Sequence, residues 1–366
     1  MRFFLPLILL AVDFIFLIPN SSAQSRKDAM KSNIAKPIDE ILQSYDSIGS
    51  PGASVLVYEK GKVIYAQGYG LKNTTTGEKV STSTCFRLAS LTKQFTAMSI
   101  LQLCQKGKLS LDSPAHNYLD SMPAYTKAIT IRNLLTHTSG LVDYEDLIPA
   151  AQTRQLSDKD CLRLMHSTRE LYFTPGSAYR YSNTGYALLA LIVQKVSGED
   201  FAGYLRRHIF QPLGMYATIA FEEGKSRVKN RALGHSRTGN GWKVTDQSLT
   251  SAVLGDGGIY TNVLDYSRWI TALLKYRLIP DSMQQVAWQR ARLDNGSPVN
   301  YGFGWHVDEI RGKFLPHHSG SSIGFRNHIL LFPEEQRAIV LLTNRDEGNP
   351  FLLAQRIADK VWPVRY

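Results

Sequence analysis

The chain predicts an α/β (α+β) fold, an antiparallel five-stranded sheet flanked by helices with a mostly helical lobe inserted into it. Three observations lead there. Strand patterns cluster toward the two ends, helical patterns fill the middle, and no repeat or low-complexity linker separates them. A hairpin near the start must then pair with strands from the far end, and a cleft between the two lobes is the expected site.

Taken in order, Ile38, Ile41, Leu42 and Tyr45 have helical spacing, and Gly49 to Gly52 ends that element. Ala53 to Tyr58 and Lys62 to Gln67 flank Glu59-Lys60-Gly61 as a hairpin. Ser90 opens a helix carrying Phe95, Ala97, Met98, Ile100, Leu101, Leu103 and Cys104. That much apolar character implies burial on most sides, and Gly107 between lysines fits its stop. Helices follow over Ile129 to Thr136, Ser157 to His166, Thr184 to Val196, Phe201 to Phe210 and Val263 to Lys275. Ser157 with Asp160 reads as a cap, and Gly198 and Pro212-Leu213-Gly214 read as stops. Strands return at Gly302 to Val307, Lys313 to Pro316, Asn327 to Phe332 and Ala338 to Thr343, before a closing helix over Phe351 to Val361. The stretches Val142 to Gln155 and Phe221 to Gln247 read as loops of undetermined shape.

Met1-Arg2, an apolar run from Phe3 to Pro19 and Ser21-Ser22-Ala23 have the order of a secretory signal cleaved after Ala23. The expected organisation is a signal over 1–23 and one domain over 30–362. Its sheet lobe is expected over about 30–110 and 240–366, and its helical lobe over about 111–239. The product is expected in the periplasm or outside the cell, with no stable membrane anchor. Lys and Arg outnumber Asp and Glu by 42 to 31, a formal charge of +11, which suits association with anionic envelope polymers. No basic run interleaved with aromatics argues for nucleic acid. Cys85, Cys104 and Cys161 lack metal-ligand spacing and read as small buried residues, with a Cys85–Cys104 bridge left open. No zinc pattern occurs, so neither metal nor cofactor is expected.

Three short motifs carry chemistry. Ser90-Leu91-Thr92-Lys93 places a hydroxyl and an amine one helical turn apart, so the amine can take the hydroxyl's proton. Ser226-Arg227-Val228-Lys229 fits the same pattern but sits among charges with no apolar period, as a solvated loop would. Tyr181-Ser182-Asn183 precedes an apolar helix. A phenol at a loop tip can shuttle a proton, and the neighbouring amide can orient substrate. Tyr260-Thr261-Asn262 matches too, but there Thr261 or Asn262 reads as a helix cap. His318-Ser319-Gly320 falls in a predicted strand that can lie against substrate and supply a backbone N–H. Arg237-Thr238-Gly239 reads instead as a hairpin before Asn240-Gly241. His137-Thr138-Ser139-Gly140 reads as a turn that positions the helical lobe.

In that order the motifs resemble the serine β-lactamase and penicillin-binding protein superfamily. The likeness is to its class C β-lactamase-like branch, with D-Ala-D-Ala carboxypeptidases and esterases. Leu134 to Leu141, Gly255-Asp256-Gly257-Gly258 and Tyr301-Gly302-Phe303-Gly304-Trp305 look like that branch as well. The resemblance runs from about Ile38 to Asn344 and implies a β-lactamase/transpeptidase-like fold. It implies Ser90 as acylated nucleophile, Lys93 as proton acceptor and Tyr181 as relay to leaving group and water. Asn183 is implied as substrate contact, with Ser319, Gly320 and Ser321 along the substrate and the N–H groups of Ser90 and Ser321 as oxyanion hole. Which of Lys93 and Tyr181 is the general base stays open. His318 stands where β-lactamases of this branch carry lysine. A mostly neutral imidazole should grip a carboxylate less firmly, so peptidase or esterase action on a small-molecule or cell-wall-type peptide substrate is expected above strong β-lactamase action.

Two rival readings remain. Gly320-Ser321-Ser322-Ile323-Gly324 fits an α/β-hydrolase elbow with Ser322 as nucleophile, but a strand pattern follows where that fold needs a helix. The other is a penicillin-binding sensor or scaffold that acylates without efficient turnover.

Overall fold

The computed structural model describes Met1 and residues 33–363, so all but the first residue of the expected signal lies outside the described residues. The main sheet has six strands, one more than the sequence predicts: β1 Ala53–Glu59, β2 Lys62–Tyr69, β3 His306–Ile310, β4 Lys313–Ser322, β5 Phe325–Phe332 and β6 Arg337–Thr343. Their order is β3-β4-β5-β6-β1-β2, antiparallel throughout. Ala53 of β1 lies opposite Thr343 on one side and Tyr69 on the other, which joins the two ends of the chain in mid-sheet.

Tight turns set the registers. Lys60 and Gly61 turn at φ 47° and 85°, Arg311 and Gly312 at 56° and 70°, the left-handed pairs that a two-residue hairpin requires. The segment expected as a strand over Gly302 to Val307 begins its strand only at His306. Gly304 has φ 79°, and a Cβ on Gly302 would stand 2.3 Å from the Ala287 carbonyl, so the chain turns there instead of extending.

One sheet face packs on α3 (Val263–Leu274), and α1 (Lys93–Gln105) and α2 (Asn183–Ser197), packed on each other, join the same core, which includes Leu56, Phe95, Trp269, Ile329 and Leu342. The other face is covered by residues of the first helical segment, Ile38, Leu42 and Tyr45, and by α4 (Pro350–Val361). Period-two alternation sorts the strands onto these faces: Val55 and Val57 point to one core, Leu56 and Tyr58 to the other.

The predicted punctuation is present. Ser157 and Asp160 form a reciprocal capping box, Gly198 closes α2 at φ 76°, and the Asn262 side chain caps α3 by accepting from Asp265 N–H. The helix expected over Phe201 to Phe210 is α-helical only to Leu205 and a π turn from Arg206 to Phe210. Arg237 and Thr238 pair with Trp242 and Gly241 as a hairpin. Cys85, Cys104 and Cys161 are all free thiols. No helix among the described residues is long and apolar enough to cross a membrane, and no group of three or more candidate ligands there could hold a metal.

Candidate active site

Ser90 does not begin an α-helix directly. It lies in a 3₁₀ turn, Ala89–Thr92, that feeds α1 at Lys93. In a 3₁₀ turn residues i and i+3 eclipse each other, which sets the Lys93 ammonium over the Ser90 hydroxyl at 3.0 Å. The residue before the nucleophile, Ala89, has φ 50°, a left-handed conformation costing about 1–3 kcal/mol in a residue with a Cβ. Neighbouring strands hold it there. Leu88 N–H donates to Ile259 O at 2.8 Å, and the Asn327 amide of β5 donates to Arg87 O at 2.8 Å and Leu88 O at 3.2 Å.

Lys93 is fully buried and meets three acceptors: Ser90 Oγ, Asn183 Oδ1 at 2.8 Å and the Asp256 carbonyl at 3.2 Å. An ammonium's three N–H bonds are thereby all used. Loss of one proton leaves a lone pair that can face the Ser90 hydroxyl, the arrangement a general base needs. The turn carrying Asp256, Leu254–Gly257, is itself held by Asp158, whose carboxylate accepts from Leu254 and Gly255 N–H at 3.1 and 2.9 Å.

Tyr181 arrives on the loop before α2, and Asn183 opens that helix. The Tyr181 ring packs at 4.2 Å on the His137 ring, and Lys93 Nζ stands 5.0 Å from its centroid. His137 is a turn residue, as its motif suggests, with φ 57°, but it also enters the site. Its Nδ1 accepts from Ser182 N–H at 3.2 Å, and its carbonyl accepts from Arg180 N–H, so the turn carries the Tyr181 loop. Asn183 is clamped at both ends of its amide. Its Oδ1 faces Lys93, its Nδ2 donates to Glu145 at 3.0 Å, and its backbone N–H donates to Asp143 at 2.6 Å. Asp143 and Glu145 belong to the stretch the sequence left as an unshaped loop.

The third wall is β4. Its neighbour β3 pairs only as far as His306 with His317, so beyond that point the edge of β4 has no partner strand, and Ser319 and Ser321 are exposed. Gly320 faces the nucleophile turn. A Cβ there would stand 2.0 Å from the Leu88 carbonyl, so only glycine lets the strand close on Ser90. His318 is 1% exposed and bonded on both sides, to Tyr301 Oη at 2.9 Å and Ser319 O at 2.6 Å. A carbonyl only accepts, so Nδ1 carries the proton and Nε2 accepts from Tyr301. Burial, then His306 and Lys93, hold its pKa well below the ordinary value, so the ring is neutral at pH 7.

Burial raises the acids around Lys93. Asp256 is pushed up to about 7 against the pull of Lys93, and Tyr144 donates to it at 2.9 Å. Glu145 is pushed up to about 7 by burial, then by Asp143 and Asp256. The decoys fall elsewhere. Ser226 closes a local turn onto the Glu222 carbonyl, and Ser322 ends a strand that turns into β5, not into a helix.

A family model described as Beta-lactamase matches residues 30–361. The chain is 29% identical over 371 residues to penicillin-binding protein 4* of Bacillus subtilis, covering 90% of this chain and 80% of that protein. It is 30% identical over 307 residues to protein flp of Staphylococcus aureus, covering 80% of this chain but 59% of that protein. The crystal structure of a penicillin-binding protein from Bacillus halodurans superposes with a TM-score of 0.75 at 28% identity, covering 88% of this chain and 98% of that one.

Proposed function

We propose that this chain, which belongs to the beta-lactamase family, hydrolyses ester or amide bonds through an acyl-enzyme formed on Ser90. The observation that carries the reading is Lys93, fully buried, at 3.0 Å from Ser90 Oγ and held by two further acceptors. Lys93 as the neutral amine takes the Ser90 proton as Oγ attacks the scissile carbonyl. The resulting oxyanion is received by the N–H groups of Ser90 and Ser321. Collapse breaks the bond to the leaving group, which takes its proton from Tyr181. Water then attacks the ester of Ser90, giving up a proton to the Lys93–Tyr181 pair, and the carboxylic acid departs with Ser90 restored.

His318 has a supporting part. Buried, neutral and bonded to Tyr301 and Ser319, it orients the strand and offers no cation to an incoming carboxylate. This favours peptidase or esterase action over efficient β-lactam hydrolysis. Export to the periplasm or beyond is part of the proposal and rests on the leader pattern of residues 1–23.

The test compares the native protein with Ser90→Ala on a fluorescent penicillin and a chromogenic short-chain ester. Ester hydrolysis and covalent labelling that both vanish in the variant are expected. Turnover that survives the substitution refutes the mechanism, and labelling with no turnover of either compound favours a sensor.

A further inference from the structure

Away from the catalytic cleft, a cavity of about 350 Å³ opens between the helical segment that ends at Phe210 and the stretch 215–229, and neither Ser90, Lys93, Tyr181 nor β4 lines it. Its floor is apolar: Phe210, Met215 and Ala220 are buried there beside Ile219. One wall is the π turn Arg206–Phe210, closed by Gln211 N–H on Arg206 O at 2.9 Å, an irregularity found often at functional sites. The rim includes Ser226 to Lys229, the segment that copies the nucleophile's motif without its chemistry. That rim is cationic. The nearby acids are already engaged: Glu199 with Arg207, Glu222 with Lys225 at 2.9 Å, and Asp200 as a cap accepting from Gly203 N–H at 2.7 Å. Arg206, Arg227 and Lys229 are exposed and have no ion pair among the described residues. Tyr216, 83% exposed, adds an apolar face at the mouth.

We propose that this cavity is a second binding site, separate from the catalytic cleft, for a single-chain amphiphile with an anionic head, a long-chain carboxylate. The tail fills the space over Phe210, Met215 and Ala220, and the carboxylate meets Arg206, Arg227 and Lys229 at the rim, where a guanidinium fork matches two carboxylate oxygens. Each half of the ligand answers one half of the site. An inorganic anion would leave the apolar floor in water and gain only exposed, screened ion pairs. An uncharged chain would fill the floor and leave the three cations without a partner. The volume lies at the lower end of the range for small-molecule sites, which suits one short aliphatic chain. The inference goes beyond the acyl-enzyme reading and does not depend on it.

The experiment titrates the full chain with octanoate, decanoate and dodecanoate by calorimetry, each below its micelle-forming concentration. Affinity is expected to tighten about tenfold for every two carbons added, as burial of two methylenes allows. The triple variant Arg206→Gln, Arg227→Gln, Lys229→Gln should bind dodecanoate about tenfold more weakly, as the loss of three exposed ion pairs allows, with its circular dichroism unchanged. Dodecyltrimethylammonium, with the same tail and the opposite charge, should bind more weakly than dodecanoate to the native protein and regain affinity in the variant. A diazirine analogue of dodecanoate should label peptides that carry Phe210 or Met215. Equal affinity for dodecanoate in the native protein and the variant, equal binding of the two amphiphiles, or labelling confined to peptides carrying Ser90, Tyr181 or Ser319 each overturns the proposal. Adsorption to phosphatidylglycerol vesicles without binding of free dodecanoate also overturns it and assigns the cationic rim to a membrane surface.

Discussion

At the scale of single residues, Lys93 is where most of the site converges. Its amine is shared by the nucleophile, the Asn183 amide and the Asp256 carbonyl, three groups from separate parts of the chain. Lys93→Met keeps much of the apolar stem but leaves Ser90 without a base. A fall of about 10²–10⁴ in kcat/KM for a short ester is expected, with the tertiary circular dichroism preserved. A loss under tenfold would remove Lys93 from the proton path. The motif residues were legible because Ser90 and Lys93 are neighbours in sequence and their geometry is local. Glu145, His137, Tyr301 and Asn327 were not read as site residues. Glu145 reaches Asn183 from 38 positions away and Asn327 reaches Leu88 across 239, separations at which nothing in the sequence marks the partner. His137 is as remote, 45 positions from Ser182, and only its place in a turn is written in the local sequence.

Among elements, the short turn Leu254–Gly257 depends on a side chain from another helix. Asp158 opens the helix capped by Ser157, yet its carboxylate satisfies two backbone N–H groups of that turn. Asp158→Ala would leave both buried donors unpaired, at about 1–3 kcal/mol each, and free the carbonyl that holds Lys93. A lower urea midpoint together with a loss of kcat is the expected outcome. Asp158→Asn, which retains an acceptor oxygen, should fall between it and the native protein. An unchanged midpoint in Asp158→Ala would show that water replaces the carboxylate. Elements of this kind mark the border of what sequence reveals. Caps and hairpins, such as Ser157 with Asp160 or Lys60-Gly61, are written locally and match closely. The 3₁₀ start at Ala89 and the π turn at Arg206–Phe210 are imposed by packing, and periodicity read both as ordinary helix.

For the whole molecule, the histidines set a pH response. His306, His317 and His328 stack across β3, β4 and β5 at 5.3 Å intervals, and burial lowers each, His306 to about 4. A depressed imidazole contributes stability that is present above its unfolded value near ~6.5 and is lost as pH falls through the folded value. The raised carboxyls of Asp158, Asp256 and Glu145 act in the opposite direction, contributing stability that is lost as pH rises through about 6 to 7. The clean measurement is therefore a difference. His328 has both ring nitrogens buried without a partner, against Phe351 at 4.8 Å, so His328→Phe removes one titration and no hydrogen bond. Its melting temperature relative to the native protein should rise progressively as pH falls below about 6.5. A constant offset would show that His328 takes up its proton alike in the folded and unfolded chains.

The place of β1 between β2 and β6 also governs time. A nascent chain can form the β1–β2 hairpin early, but that hairpin's inner edge waits for residues 337–343 before it has a neighbour. Until then Val55 and Val57 have only half of their sheet to pack beside, and a lone hairpin is marginal in water. Assembly of the catalytic cleft is thus among the last events of synthesis, because Ser319–Ser321 and Asn327 close on Ser90 only when the final strands arrive. A chain released before residue 343 would carry Ser90 and Lys93 yet have no completed wall to bring substrate against them.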